Sequence, residues 1–287
     1  MAHSLSDPII VVTRRSADVR VHTFISSFLD NNIANATHII EGPTKLVLVD
    51  GQFLAPYARR FREYADTLGK PIERLYLSHR HPDHWFGLGT AFRDVPIFAL
   101  AETVDFLKEH GEESLGDHWK MGDFAPEIVV VPDGIVQPGE ETIDGIRYLF
   151  DVVTDTEIDY HLTIKLPELG VCIAQDLLYS GTHLYLSSGM HRWIRVLSQL
   201  LTEDHDLFLA GHGLPADKNE VARNIEYLSA AAAAVADGMT GADFKNFMLA
   251  RYPERRCPGI FDIYLPRLFG GAASYCSLAA IDGGSEA

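Results

Sequence analysis

Apolar and polar residues alternate along the first part of the chain in a pattern that predicts short strands separated by helices. Apolar runs rich in β-branched side chains are typical of buried or half-buried strands. The predicted strands are 9–12, 19–25, 37–40, 45–50, 72–77 and 97–100. Apolar residues three and four positions apart predict helices at 52–68, from 84 to about 92 and at 102–110, the first and last ending at Gly69 and Gly111.

A second block of strands follows a polar stretch at 111–126, which we expect to be a surface loop. Strands are predicted at 129–131, 143–153, 161–166, 171–174 and 207–213, and helices at 189–201, 216–236 and 240–250. A first strand-and-helix block followed by a second predicts the α+β class, as a four-layer αββα sandwich. We therefore expect a single domain over 1–287, with 237–287 as a helical C-terminal extension packed on it.

The tail of the chain, 260–280, is rich in aromatic residues whose spacing predicts an amphipathic helix. This helix could cover the mouth of a pocket, join a second subunit in a homodimer, or pack on its own domain. The sequence leaves these three interpretations open.

Composition and charge narrow the class of protein. The net charge is −16, from 24 basic and 40 acidic residues. Because no basic stripe is present to neutralise phosphates, we expect no nucleic-acid partner. The cysteines Cys172, Cys257 and Cys276 are odd in number and far apart, which indicates reduced thiols and a cytoplasmic protein. Neither a signal peptide nor an apolar run long enough to span a membrane is visible, so we expect neither secretion nor a membrane partner.

One polar stretch carries the strongest chemical signal. His79, His81, Asp83 and His84 lie within six consecutive positions, directly after the predicted strand 72–77. Positions i and i+2 of an extended chain share a face, so His79 and His81 can bind one ion. Asp83 and His84 follow Pro82, which stiffens the turn, and can bind a second ion nearby. Imidazole and carboxylate ligands together suit zinc, iron or manganese.

The pattern His-x-His-x-Asp-His after a strand resembles the signature of the metallo-β-lactamase superfamily, and the resemblance spans roughly residues 9–236. It implies the αββα fold and a metal centre, but it says little about the substrate. It also implies that His212, in Gly-His-Gly, is the last metal ligand and that Asp176 bridges two ions, although Gln175 replaces the usual glycine before that aspartate. Asp50 is either a support for the metal-binding loop or a plain turn residue.

The third ligand of the first ion departs from the family pattern. Relatives usually carry a histidine in a Gly-His-Thr turn before the next strand. Here the turn within residues 153–162 has no histidine, and the stretch offers three candidates, Asp155, Glu157 and His161. The order of residues resembles the alkylsulfatase branch, which uses a glutamate, so we choose Glu157, with Asp155 second. We expect His161 to be a supporting or merely satisfied polar residue. A glutamate lowers the formal charge of the cluster by one and makes iron or manganese more competitive with zinc.

These observations predict a hydrolase with two divalent metal ions, zinc first, acting on a small ester, lactone or sulfate ester through a metal-bound hydroxide. Asp83 or Asp176 would carry the proton to the leaving group. In lactonases of the superfamily a tyrosine placed like Tyr179 hydrogen bonds the substrate carbonyl, and His183 resembles an alkylsulfatase site histidine; core roles are the alternatives for both. The competing functions are an iron-dependent oxidoreductase, of dioxygenase or diiron type, and a non-catalytic metal-binding protein.

Overall fold

Two β-sheets and the helices outside them make up the fold in the computed structural model, which describes residues 5–28 and 33–270. The first sheet runs in chain order: β1 (Ile9–Arg14), β2 (Arg20–Phe28), β3 (Ile33–Glu41), β4 (Leu46–Val49), β5 (Ile72–Tyr76), β6 (Ile97–Ala99) and β7 (Gly134–Ile135). Strands β1 to β4 pair antiparallel, and β4 to β7 pair parallel. The parallel part needs crossovers, and helices supply them.

The second sheet has the strand order β12-β11-β10-β9-β8. Its strands are β8 (Gly139–Ile143), β9 (Ile146–Thr154), β10 (Tyr160–Leu166), β11 (Val171–Ser180) and β12 (Leu207–Gly213). Neighbours are antiparallel except β11 and β12, which run parallel and are connected through a helix. The last two strands therefore end at the same edge of the sheet.

The α-helices lie on the outer faces of the two sheets or in the loops at their ends. They are α1 (Ala55–Thr67), α2 (Pro82–Trp85), α3 (Leu88–Ala91), α4 (Ala101–Asp117), α5 (Met190–Thr202), α6 (Lys218–Ala236), α7 (Gly241–Arg251) and α8 (Ile260–Leu268). Short 3₁₀ helices occur at Trp119–Phe124 and Pro167–Leu169. None of the helices in the described residues is long and apolar enough to cross a bilayer.

Three apolar cores separate four layers. Along β4, Leu46 and Leu48 pack outward on α1, whereas Val47 and Val49 face the second sheet, as the two-residue period of a strand requires. The third core lies between the second sheet and α5 to α8, with Trp193 at its centre. The order helix, sheet, sheet, helix confirms the predicted α+β class and the αββα sandwich.

Several predicted boundaries were wrong for identifiable reasons. The run 143–153 is two strands, because Asp144 and Gly145 turn the chain with positive φ angles of 51° and 80°. The predicted helix at 84–92 is broken into α2 and α3, since Gly87 N–H donates to the Gln52 carbonyl instead of continuing a helix. Residues 129–131 form no strand and pack on the core between the first sheet and α1.

The helix α4 does not end at Gly111, as predicted, but continues to Asp117. With the 3₁₀ helix Trp119–Phe124, most of the expected loop at 111–126 is helical. Gly111 is buried in α4 and packs closely on Val129, since an added Cβ would lie 2.7 Å from Val129 Cγ1. Its function is close packing and not helix termination. Gly116, in the same helix, is exposed and has no atom within 4 Å of such a Cβ.

In the predicted C-terminal extension, α7 and α8 contribute Phe244, Met248, Phe261 and Tyr264 to the third core. The amphipathic helix predicted over 260–280 is observed over Ile260–Leu268. Residues 271–280 of that prediction, like Cys276, lie outside the described residues.

The two glycines of α4 give a matched test of its packing. We expect Gly116→Ala to raise the free energy of unfolding by at most about 1 kcal/mol, because alanine favours a helix. Gly111→Ala should instead lower it by about 1–3 kcal/mol, because the new methyl group overlaps Val129. Chemical denaturation of both variants measures the difference, and equal stabilisation by both would show that α4 does not pack as described.

Candidate metal centre

The seven predicted metal ligands come together at one end of the two sheets. They arrive from the β5–α2 segment (His79, His81, Asp83 and His84), the β9–β10 turn (Glu157), β11 (Asp176) and β12 (His212). Two groups of ligand atoms form, each within 4.8 Å of one another: His79, His81, Glu157 and Asp176, and Asp83, His84 and His212. The residues predicted to share an ion are thus neighbours in space.

The first group is almost fully enclosed. His81 Nδ1 lies 3.1 Å from His79 Nε2 and 3.1 Å from Glu157 Oε1. Asp176 Oδ2 lies 3.7 Å from His79 Nε2. His79, Glu157 and Asp176 are buried, and His81 is half-buried, so the group has one side open to a ligand.

The second group is joined to the first by Asp176. Asp83 Oδ2 lies 3.6 Å from His84 Nε2 and 3.4 Å from His212 Nε2. Asp176 Oδ1 lies 3.2 Å from His84 Nε2, and its Oδ2 lies 3.2 Å from His212 Nε2. The two oxygens of one carboxylate therefore face both groups, as expected of a bridging aspartate.

Hydrogen bonds behind three of the imidazoles aim their Nε2 atoms into the site. His84 Nδ1 lies 2.7 Å from Asp50 Oδ2, and His212 Nδ1 lies 2.8 Å from the Ala34 carbonyl oxygen. His79 Nδ1 lies 2.9 Å from Ser78 Oγ. An acceptor behind the ring places the proton on Nδ1 and leaves Nε2 free as an acceptor, the form that binds a metal.

Asp50 supports this loop and is not a plain turn residue. It is fully buried, with φ of 64°, and its carboxylate accepts hydrogen bonds from Ser78 N and Ser78 Oγ, both at 2.7 Å, and from His84. Gln175 Nε2 donates a fourth hydrogen bond to it. One carboxylate thus fixes both the start of the loop and the ring of His84.

The buried polar atoms of the site fit a metal ion. His84 Nε2, Asp176 Oδ1 and both carboxylate oxygens of Glu157 are buried without a hydrogen-bond partner. Burial raises the pKa of Glu157. Burial would also raise the pKa of Asp176, but the imidazoles of His212 and His84 hold it well below its usual value. Carboxylates and imidazoles enclosed in this way need a cation, because uncompensated buried charge is costly.

Of the three candidates for the third ligand, the structure brings only Glu157 into the cluster. Asp155 is exposed, in the turn before it, with φ of 55°. His161 is buried in β10, and its ring stacks on His79 at a centroid distance of 5.0 Å. Neither nitrogen of His161 has a hydrogen-bond partner. His161 therefore lies behind a candidate ligand and outside both groups.

Tyr179 touches the cluster, and His183 does not. The hydroxyl of Tyr179 donates to Asp176 Oδ2 over 3.1 Å, and its ring stacks on His212 at 4.8 Å. The expected hydrogen bond from this hydroxyl to a substrate carbonyl stays a prediction. His183 Nδ1 lies 3.0 Å from the Tyr227 hydroxyl, and its ring packs on Phe261 in the third core.

A cavity of about 330 Å³ opens beside the first group and includes His81 and Glu157 in its wall. Arg80, Tyr185 and Arg267 also line it. The rings of Tyr185 and His81 pack edge to face, with their centroids 5.4 Å apart. Sequence reasoning named neither Tyr185 nor Arg267. Covering a pocket mouth was one of the three interpretations for the helix predicted over 260–280, and α8 does contribute Arg267 and Leu268 to the cavity wall.

Comparison with known proteins supports the fold. The family model described as "Metallo-beta-lactamase superfamily" matches residues 32–213. Similar solved structures include a metallo-β-lactamase from Pontibacter korlensis, with 16% identity, a TM-score of 0.63, and 77% of this chain and 99% of that chain covered. FIM-1 from Pseudomonas aeruginosa in its mono-zinc form has 17% identity and a TM-score of 0.59, with 78% of this chain and 97% of that chain covered.

The metallo-β-lactamase IND-7 is similar to the same degree, with 16% identity, a TM-score of 0.63, and 79% of this chain and 100% of that chain covered. No curated protein matches the sequence. At these identities the structural likeness shows the fold and leaves the substrate open.

Two neighbouring acidic residues test the assignment of the third ligand. We expect Glu157→Ala to reduce the metal content from about two ions per chain to about one, because a buried ligand is lost. Asp155→Ala should retain both, since that carboxylate is exposed and outside the cluster. Elemental analysis of the purified variants decides, and loss of metal only in Asp155→Ala would show that the turn is wrongly assigned.

Proposed function

Because the chain belongs to the metallo-β-lactamase superfamily, we propose that it is a dinuclear metal-dependent hydrolase of a small ester, lactone or sulfate ester. The observation that supports two ions is the position of Asp176, whose oxygens lie 3.2 Å from His84 and 3.2 Å from His212 while the same carboxylate also faces His79. A single ion would leave one of the two groups of buried ligands without a cation.

His79, His81, Glu157 and Asp176 would hold one ion, and Asp83, His84, His212 and Asp176 the other. Bound divalent ions would supply Lewis acidity and lower the pKa of water to about 7. Zinc is the first candidate, and FIM-1, a structural relative, was solved with one zinc. The three carboxylates among the ligands keep iron and manganese in competition.

The proton carriers of the proposed reaction differ in their access to solvent. The side chain of Asp83 is 21% exposed, whereas that of Asp176 is 2% exposed and accepts a hydrogen bond from Tyr179. Asp83 can therefore exchange a proton with water or a leaving group, while Asp176 is held in place. Asn35 Nδ2 donates to the Asp83 carbonyl over 3.1 Å and to its carboxylate over 3.5 Å, which orients the side chain.

The size of the adjacent cavity supports a small-molecule substrate. A volume of about 330 Å³ is at the lower end of the range for ligand pockets. A substrate seated there would have its scissile bond beside His81 and Glu157 and its remainder among Tyr185, Leu186 and Leu268.

The carboxylate-rich ligand set also favours a second candidate, an iron-dependent oxidoreductase of dioxygenase or diiron type. Elemental analysis and a visible absorption spectrum separate the two functions, because zinc protein is colourless. A non-catalytic metal-binding protein would hold metal and turn over no substrate.

The hydrolase proposal predicts turnover that depends on metal. We expect metal-loaded protein to hydrolyse at least one class in a panel of chromogenic esters, lactones and sulfate esters, and to lose this activity on chelation. Restoring zinc or manganese should restore it. Protein that carries two zinc ions and turns over no member of a broad panel would contradict the proposal.

The charge of Glu157 predicts the metal preference. Glu157→His should retain two ions and shift the preference toward zinc, because it restores a softer, neutral ligand. Competition between zinc and manganese for the wild-type protein and the variant measures the shift. An unchanged ratio would show that Glu157 does not contact the ion.

A further inference from the structure

A buried glutamine stands directly before the bridging carboxylate in an unusual backbone conformation. Gln175 is fully buried in β11, with φ of 42°, in the left-handed region that favours glycine. The pairing of β11 with β12 shifts register at this residue. Backbone strain of this kind persists only where surrounding contacts hold it, and it is concentrated at functional sites.

The side chain of Gln175 connects the two sheets. Its Oε1 lies 2.9 Å from His38 Nε2 in β3, and its Nε2 donates to Asp50 Oδ2 at the end of β4. Burial lowers the pKa of His38 to about 4, so this ring is neutral and carries one N–H.

The protons of this chain can be placed from its neighbours. His38 Nε2 lies 3.2 Å from the Ala210 carbonyl oxygen, which can only accept, so the ring proton is on Nε2. The atom of the Gln175 amide that faces this N–H is therefore its oxygen, Oε1. His38 Nδ1 then accepts from Thr23 Oγ1 over 3.1 Å. Because Oε1 of Gln175 is fixed as the acceptor from His38, its amide nitrogen must face Asp50.

From these contacts we propose that Gln175 is a positioning residue of the metal centre, which holds the Asp50 carboxylate against His84 and thereby aims His84 Nε2 at the ion it shares with Asp176. Asp50 Oδ2 lies 2.7 Å from both Ser78 Oγ and His84 Nδ1, and the Gln175 amide is a further donor to the same oxygen. Without the amide, a buried carboxylate loses one donor and the His84 ring loses a fixed partner.

A second glutamine provides a matched control. Gln52 is also fully buried with positive φ, 74°, and its amide also makes two side-chain hydrogen bonds. Its partners are Ser26 Oγ and Thr37 Oγ1, and within the described residues neither of these hydroxyls is hydrogen bonded to a candidate metal ligand. Replacing either glutamine by methionine keeps the length of the side chain and removes its hydrogen bonds.

The test measures zinc affinity by competition with a chromophoric chelator and does not depend on catalytic activity. The inference rests on metal binding at the proposed centre but not on the proposed reaction. We expect Gln175→Met to lower the affinity for one of the two zinc ions by about 10–100-fold. This is the usual effect of removing a hydrogen-bond partner of a metal ligand. Gln52→Met should bind both zinc ions as the wild type does, even if its thermal stability falls equally.

Three outcomes separate the alternatives. Wild-type affinity for both zinc ions in Gln175→Met would overturn the positioning role and leave the metal centre intact. Equal weakening in Gln175→Met and Gln52→Met would also overturn it, because the effect would then be a general loss of packing. Wild-type protein that binds neither zinc, manganese nor iron would instead refute the metal centre, and with it both the proposed function and this inference.

Discussion

The burial of the Asp176 carboxylate between two groups of imidazoles is the interaction on which the arrangement of this protein depends. The side chain is 2% exposed and faces His79, His84 and His212 at 3.7, 3.2 and 3.2 Å. Removing such a charge from water costs several kcal/mol unless cations compensate for it. Protonated imidazoles can provide part of this compensation, because the Asp176 carboxylate, against the lowering effect of burial, raises the pKa of His84 and of His212. Bound divalent ions provide it while leaving the imidazoles neutral and able to act as ligands.

The fold meets this requirement by ending β5, β11 and β12 at one place, where two sheets face each other. The apolar residues between the sheets fix the distance between the strands. His79 follows the end of β5, His212 lies near the end of β12, and Asp176 lies within β11. Behind the candidate ligands, Asp50 and Gln175 join strands of both sheets by buried hydrogen bonds. The ligands are therefore attached to rigid elements, which preserves their geometry before an ion binds.

Glu157, in the β9–β10 turn, adds a third carboxylate to the candidate ligands. Its two buried oxygens lack hydrogen-bond partners. A third carboxylate makes the ligand set harder and more negative, which bears on the choice of metal and on the charge of substrates. The neighbouring cavity receives residues from α8, so the C-terminal helices contribute to the substrate side of the site as well as to the third core.

The amino-acid sequence by itself determined the elements whose signals are local. Strand periodicity, the spacing of His79 to His84 and the glycines around His212 identified the αββα fold and a candidate ligand set whose members the structure brings together. Local signals failed at Gly111, which lies inside α4 and packs closely on Val129 instead of ending the helix. They also failed at 143–153, where the Asp144–Gly145 turn signal was present and was missed.

Only the tertiary structure decided which polar residues support the site. His38 and Gln175 are 137 positions apart, and Tyr185 reaches His81 from another segment. Sequence order carries no information about such pairs, because a hydrogen bond between two sheets depends on how the sheets pack. The chemistry of the centre could be derived from residue types and spacing, whereas its orientation depends on contacts that form only when both sheets are in place.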